Sequence, residues 1–413
     1  MSGLRSGLTP VDEVIATLLS RATPTLKIER VELSRARGRV LAEDITSGID
    51  VPAAANSAMD GYALNVTDPQ MRAGGTYPIA DRIPAGYVGQ PWLPGTLSRI
   101  FTGAPMPAGA DSVVIQEDTD LSSDPVTDQV TDQVTLRLLP PSGDNVRPQG
   151  QDISLGQTVL YTGRRLLPQD LGLAASVGIS GVAVYERLRV GLMCTGDELV
   201  EPSEALLPGQ IYNSNHYTLA GLIQDLGMQV VDLGLVADTP ASTQQALLRG
   251  ATEADVIVSS GGVSVGEEDH VKAAVEALGS LDLWRIAIKP GKPLAFGRVK
   301  DVPFFGLPGN PVSSFVTFML IARPYLLKLQ GATKTVPMTC FARANFSRPA
   351  GKRREYLRIQ LTNTGHNEHS AQLYAQQGSG VMSSVSWADG LAEQDVGQEI
   401  SLGDWLKIYP FMG

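Results

Sequence analysis

The spacing of apolar positions changes three times along the chain. Near the start, Val11, Ile15, Leu18 and Leu19 recur at helical spacing. Thr9, Pro10 and Asp12 stand where a cap, a first-turn residue and an acidic partner for the helix dipole belong, so a helix is predicted to open there. Between Pro52 and Pro148 the apolar runs shrink to Ile100-Phe101 and residues 113–116, while proline and glycine become frequent, which predicts a small β-rich domain. From Leu188 to about Leu329 the pattern alternates. Strands are predicted at 190–193, 230–233, 256–258 and 283–288, and helices at 215–226, 240–249, 270–278 and 311–329. That alternation predicts a parallel sheet with right-handed crossovers and helices on both faces. The tail from Val336 is polar, short-stranded and punctuated by glycine, and predicts a second small β domain. The tetrapeptide Val-Thr-Asp-Gln occurs at 126–129 and again at 130–133. Two copies predict a lengthened surface hairpin and not a repeat architecture.

Ligands of open α/β sheets bind beyond the carboxyl ends of the strands, and the candidate chemistry falls there. Thr195-Gly196-Asp197-Glu198 follows the first predicted strand, Asp238 the second, and a glycine-rich turn from Ser259 to Asp269 the third. Within that turn Ser260, Gly261, Gly262, Ser264 and Gly266 let backbone N–H groups approach an anion closely. Its acidic end, Glu267 to Asp269, would repel a bare phosphate and suits a phosphate carried in with a divalent cation. A tight turn leading into a solvated acidic helix start is the other reading. Asp197 and Glu198 either cap the next turn or bind a cation or a ligand hydroxyl. Lys289-Pro290-Gly291-Lys292-Pro293 holds its lysines in a segment that cannot be helical, either as an exposed turn or to neutralise phosphate charge. Pro308, Asn310, Pro311 and Ser313 lead into a helix. Capping explains much of that segment, and its free N–H groups with Ser313 could also hold an oxyanion. The turn around Asp60 and the loop around Thr102 carry no site reading from physical chemistry alone.

At 413 residues the chain is expected to form two to four domains. Its net charge of −10 argues against a nucleic-acid binder, while small anionic substrates stay open. Cys194 and Cys340 are the only cysteines, which excludes a thiolate zinc site and a disulfide-dense fold, and Cys194 reads as a core residue. His366 and His369 form only a weak metal pair in a polar stretch. The first residues lack a signal-type apolar core, and no run approaches the roughly 20 apolar residues of a membrane span. The longest, 315–322, lies in a predicted helix, so a cytoplasmic protein with no membrane partner is expected.

Several segments, taken together and in order, carry a resemblance. They are Asn56-Ser57-Ala58-Met59-Asp60-Gly61-Tyr62-Ala63, Thr102-Gly103-Ala104-Pro105-Met106-Pro107, Asn145-Val146-Arg147-Pro148, Gly150-Gln151-Asp152-Ile153 and Thr195-Gly196-Asp197-Glu198-Leu199, with the glycine turn and the two proline-rich loops. The chain resembles the molybdenum insertases of molybdenum-cofactor synthesis, the molybdopterin molybdenumtransferases of MoeA type, a group that includes the gephyrin E domain. Family members more often carry Glu where Gln151 stands. Molybdopterin adenylyltransferases share the glycine turn in outline but carry a GGTG-type sequence where this chain has Gly261-Gly262-Val263-Ser264.

The resemblance implies a multidomain α/β plus β fold. A three-layer α/β/α molybdopterin-binding domain would span 181–331. An elongated N-terminal domain would combine 1–48 with 145–180, an inserted β-rich domain would span 49–144, and a C-terminal β-barrel-like domain would span 332–413. It implies a homodimer with a composite site between subunits, and a reaction that turns adenylylated molybdopterin and molybdate into molybdenum cofactor and AMP. The implied catalytic residues are Asp60, Thr102, Glu198, Asp269 and Lys289. Asp238, Asp269 and Glu198 would hold Mg²⁺. Substrate would meet Asp197, the glycine turn (Ser260, Gly261, Gly262, Ser264, Gly266), Lys292 and the loop carrying Pro308, Asn310, Pro311 and Ser313, with Arg354 or Arg358 as further molybdate candidates. A transient contact with the adenylyltransferase would deliver the substrate. A molybdopterin adenylyltransferase using the same site, and a non-catalytic molybdopterin-binding scaffold, are the alternatives.

Overall fold

The computed structural model describes residues 8–24, 27–123, 130–262, 270–363 and 369–411. The chain forms two compact units. One comprises Met1–Glu43, Thr162–Leu167 and Val182–Gly413, and the other Asp44–Tyr161 and Pro168–Gly181.

The first unit is built on a six-stranded sheet in the order Gln229–Val236, Arg189–Thr195, Val256–Ser260, Val302–Leu307, Pro293–Val299, Gly279–Arg285. The first four strands run parallel. The last two are antiparallel additions, so the sheet is mixed and not parallel throughout as the alternation predicted. The fourth parallel strand is Val302–Leu307, and the predicted strand at 283–288 divides between the antiparallel edge and a separate short strand, Ile288–Lys289. The hairpin joining Pro293–Val299 to Val302–Leu307 turns at Lys300-Asp301, with Lys300 at φ 53°. That turn lacks the Asn-Gly or Gly-Gly signal of a two-residue hairpin, which is why the pattern hid it.

Alternate strand residues feed opposite faces. Val256, Val258 and Phe305 pack with Leu219 and Ile223 of helix Ser214–Asp225 and with Val312 and Val316 of the long C-terminal helix. Ile257 and Phe304 pack with Leu247 of helix Pro240–Glu253 and Val271 and Val275 of helix His270–Leu278. Two covered faces make the expected three-layer α/β/α arrangement, and they explain the near-continuous apolar runs of the central strands. The long helix is continuous from Pro311 to Leu329, with a π-helical turn at Phe318–Ala322. It is long and apolar enough to cross a membrane, longer than the run of 315–322 suggested, but it is buried in this core along most of its length.

The first helix is Val11–Arg21, burying Val11, Val14 and Leu18. Thr9 does not cap it. Its N–H donates to the Arg285 carbonyl and its carbonyl accepts from the Ala287 N–H, both at 2.8 Å, so the segment before the helix is stitched to the sheet edge.

The C-terminal part is a closed five-stranded barrel. Arg354–Asn363 is followed round by His369–Leu373, Cys340–Ala344, Trp405–Pro410 and Gly390–Gln394, which pairs back onto Arg354–Asn363. Leu357, Ile359, Ala371, Ala392 and Ile408 fill it. Ile288–Lys289 adds to it in parallel, with Ile288 opposite Arg354. The lysine loop therefore leaves the barrel sheet and not the α/β sheet.

The second unit holds another six-stranded sheet, in the order Ser112–Ile115, Gly61–Leu64, Leu97–Ile100, Thr76–Ile83, Val130–Leu136, Thr119–Ser123. Gly61 is required in it, since a Cβ there would lie 1.9 Å from the Val114 carbonyl oxygen. The second Val-Thr-Asp-Gln copy opens strand Val130–Leu136, antiparallel to Thr119–Ser123, which fits the hairpin expectation, while the first copy lies outside the described residues. Short pairings join Asn56–Ser57 to Val146–Arg147 and Ile45–Thr46 to Thr158–Leu160.

Candidate functional site

A cavity of about 910 Å³ lies at the carboxyl ends of the parallel strands. Its wall takes Thr195, Gly196 and Glu198 from the first strand end, Asp238 from the second, and Ser260, Gly261 and Gly262 from the third. Lys289 and Lys292 come from the loop on the barrel side, and Pro308, Asn310, Pro311 and Ser313 from the start of the long helix. Most of the residues singled out by their position after strands are thus brought together. Ser264, Gly266 and Asp269 lie outside the described residues.

The glycine turn is tightly built. Gly261 sits at φ 96° and Gly262 at φ 64°. A Cβ on the first would lie 2.4 Å from the Thr195 carbonyl oxygen, and one on the second 2.3 Å from Val271 Cγ2. No L-side chain fits either position without displacing backbone or core. Asn215, which the sequence reading did not flag, ties this turn to the neighbouring loop: its Nδ2 donates to Ser260 Oγ at 2.8 Å and to the Gly309 carbonyl at 2.7 Å. The available signal was Asn213, whose Oδ1 caps the same helix by accepting from the His216 N–H. Asn310 occupies the cap position of the long helix but makes no side-chain cap bond. Ser313 is buried against the cavity.

The acidic wall divides in two. Asp197 does not line the cavity, and its Oδ1 accepts from the Asp238 N–H at 3.3 Å, holding the loop that presents Asp238. Asp238 Oδ1 is buried with no hydrogen-bond partner among the described residues, as is Thr195 Oγ1. Among the described residues no cluster of three or more His, Cys, Asp or Glu side chains forms a ready-made metal cage. Cys194 also reaches the wall, but burial pushes its thiol up to about 12, so it is an inert core residue at neutral pH.

The cationic side is wired through the barrel. Lys289 Nζ meets Glu355 Oε1 at 2.9 Å, and Arg348 Nη2 meets Glu355 Oε2 at 2.7 Å. Burial would raise the Glu355 pKa, but the hydrogen bonds from Lys289 and Arg348 outweigh it and hold the carboxyl below its ordinary value. The arginines suggested for molybdate are placed elsewhere. Arg354 pairs with Asp12 and Asp395 and does not line the cavity. Arg358 is buried behind the wall, donating to Ser384 Oγ, the Tyr356 carbonyl and the Gly378 carbonyl, and burial lowers its pKa to about 10. The wall arginine is Arg353, whose Nη1 donates to the Ile288 carbonyl at 3.1 Å. Arg358 supports the Gln377–Gly380 stretch of the wall from behind. A run of four basic and acidic residues at a strand start, 352–355, does not by itself tell which one faces the cavity.

Asp60 and Thr102 form a separate constellation in the second unit. Thr102 donates both its N–H, at 2.7 Å, and its hydroxyl, at 2.8 Å, to Asp60 Oδ1. The backbone bond, then the hydroxyl bond, and more weakly the Arg99 charge hold this carboxyl below the usual range. Arg99 stacks over Tyr62 and Phe101, 4.9 Å from each ring centre.

Three family descriptions match consecutive parts of the chain: the MoeA N-terminal region (domain I and II) over residues 9–178, a probable molybdopterin binding domain over 191–328, and the MoeA C-terminal region (domain IV) over 342–411. That succession defines a MoeA-type protein. A solved molybdopterin biosynthesis moeA protein from Pyrococcus horikoshii OT3 has the same fold, with a TM-score of 0.80 at 27% identity over 98% of this chain and 100% of that one. The molybdopterin molybdenumtransferase of Haemophilus influenzae is 38% identical over 407 residues, 97% of this chain and 98% of that protein. Molybdopterin molybdenumtransferase 2 of Mycobacterium tuberculosis is 35% identical over 419 residues, 96% of this chain and 97% of that protein. The chain belongs to the molybdopterin molybdenumtransferase family, which is the family its motifs resemble.

Proposed function

We propose that this protein is a transferase that inserts molybdenum into molybdopterin, taking adenylylated molybdopterin and molybdate and giving molybdenum cofactor and AMP. The observation that carries the reading is the convergence, at one sheet end, of an N–H-rich glycine turn, two lysines and two carboxylates around a single cavity. The turn at Ser260, Gly261 and Gly262 cradles substrate phosphate, and Ser264 and Gly266 are assigned to the same substrate. Lys289, held by Glu355, offsets charge on the phosphate being released. Lys292, Arg353, Ser313 and the loop from Pro308 to Pro311 supply donors for the molybdate dianion. The sulfur ligands of molybdenum come from the pterin, so two cysteines in the chain are no obstacle.

Glu198 and Asp238, with Asp269, would hold Mg²⁺. The fit rests on the buried Oδ1 of Asp238, which has no partner among the described residues, and on the habit of Mg²⁺ of using one or two carboxylates together with substrate phosphate oxygens. When bound, Mg²⁺ neutralises charge on the phosphoanhydride. Asp197 positions Asp238 through its loop. Asp60, kept ionised by Thr102, would complete the site from a second copy of the chain, making the working form a cytoplasmic homodimer. A transient complex with the adenylyltransferase would deliver the substrate.

The test is a reconstituted reaction with Asp238→Ala and Asp269→Ala variants. Both are expected to lose AMP release and cofactor formation while keeping the far-UV circular dichroism and melting profile of the parent. Normal cofactor yield from either variant would remove that carboxylate from the site.

A further inference from the structure

A second, smaller hollow of about 150 Å³ opens in the first unit between helix Ser214–Asp225, the π-helical turn of the long helix and the segment leading into the barrel. It shares no lining residue with the larger cavity. Its walls are largely apolar, with Leu222, Phe318 and Phe411 prominent. Two arginines, Arg165 and Arg323, nevertheless line it. Arg165 donates Nη2 to the Asp225 carbonyl, but among the described residues its buried Nε has no partner, and neither has the buried Arg323 Nη1. Neither guanidinium takes part in an ion pair among the described residues.

Such an arrangement is costly as it stands. A buried N–H on a charged group left unsatisfied is destabilising, and two guanidinium groups sharing a hollow repel. Burial, then the neighbouring Arg165 charge, push Arg323 below its ordinary value. Arginine cannot shed its proton to escape this in the physiological range. The Asp225 carboxylate, whose charge favours Arg165, is the one acidic group on the wall among the described residues. The cationic charge on the wall is thus only partly answered.

We propose that this hollow binds one small tetrahedral oxyanion between Arg165 and Arg323. The forked donors of arginine match oxyanion geometry. The volume is that of about five waters at about 30 Å³ each, which suits an anion with four oxygens and excludes a nucleotide. Met338, on the wall, is 78% exposed, so the hollow reaches the surface beside it, and that side chain stands at its rim. A bound anion would tie the 162–167 segment to the long helix. Free phosphate, sulfate and molybdate share this chemistry.

The test is equilibrium dialysis of the full chain against each of the three labelled anions at low ionic strength. The expected result is one anion per chain at this site, with affinity lowered about tenfold or more by Arg165→Gln and by Arg323→Gln, as loss of a charge-assisted hydrogen bond implies. Lys292→Ala, in the larger cavity, is expected to leave that binding in place. Met338→Glu puts a competing carboxylate at the rim without touching the core, and is expected to weaken binding even if the arginine variants fold poorly. The tightest of the three anions identifies the source. Binding that survives both arginine variants and the rim variant, or that disappears only in Lys292→Ala, overturns the proposal. It is also overturned if the arginine variants change the sedimentation coefficient and leave anion binding intact, since the guanidiniums would then serve a contact with a second copy.

Discussion

Replacing Glu355 by Gln removes the charge that joins Lys289 to the barrel. Glu355 is only 7% exposed, and it accepts from Lys289 at 2.9 Å and from Arg348 at 2.7 Å. Hydrogen bonds to a charged group contribute about 1.5–3 kcal/mol each. The Lys289 side chain is 43% exposed, so its share is heavily screened, whereas Arg348 at 22% is less so. Gln keeps one acceptor and the shape. The net loss is therefore expected at about 1–3 kcal/mol, read from urea unfolding followed by tryptophan fluorescence, to which Trp387 and Trp405 contribute beside Trp92 and Trp284. The pH dependence separates this charge from simple packing. The folded pKa of Glu355 is depressed, so its contribution is present above the ordinary value of 4.5 and is lost as pH falls through the folded value. The gap between parent and Glu355→Gln should hold from about pH 7 to pH 5 and begin to close only below the ordinary value. In the reconstituted reaction a loosened Lys289 should lower turnover by about tenfold or more. A variant as stable as the parent at neutral pH, or a gap that stays constant through the acid range, would refute the reasoning.

Gly261→Ala must place a Cβ 2.4 Å from the Thr195 carbonyl at φ 96°, and should cost about 2 kcal/mol or more and abolish substrate binding; thermal melting and substrate titration check this, and an unaffected variant would show the turn to be malleable. Asp60→Asn should cut turnover with little change in melting temperature, because Asn keeps the Oδ1 acceptor that both Thr102 donors use. The lowered Asp60 pKa keeps it ionised at pH 5, so no acid limb between about pH 5 and pH 8 in the parent's kcat/KM profile should belong to it. Iodoacetamide at about pH 8 should label Cys340 in the native protein and reach Cys194 only after denaturation, since the latter is buried and its thiol is raised to about 12; mass spectrometry of tryptic peptides decides it.

The α/β core was legible because burial on both faces writes itself as apolar runs at Val190 and Val256, and because helical spacing is regular from Pro240 and from His270. The cluster of polar segments after those strands was legible for the same topological reason. The antiparallel hairpin at Lys300-Asp301 was not, since its turn carries no glycine or asparagine and its strands resemble the parallel ones. Nor was the role of Glu355, or the choice of Arg353 over Arg354 and Arg358 on the cavity wall. Those depend on which face of a barrel strand meets a loop from another domain, and local pattern does not encode that. Asn215 was hidden for a simpler reason, as an asparagine near a helix start reads first as a cap. Asp60 and Thr102 were legible only through family resemblance, because a turn and a loop that meet in space leave no periodic trace.

The most direct test is reconstitution of the purified protein with adenylylated molybdopterin and Mg²⁺, with and without molybdate, following AMP release and activation of a molybdenum apoenzyme together. Both signals are expected to appear, and both to require molybdate. ATP-dependent adenylylation of molybdopterin without any need for molybdate, or tight molybdopterin binding with neither signal, would contradict the assignment of this chain as the inserting enzyme.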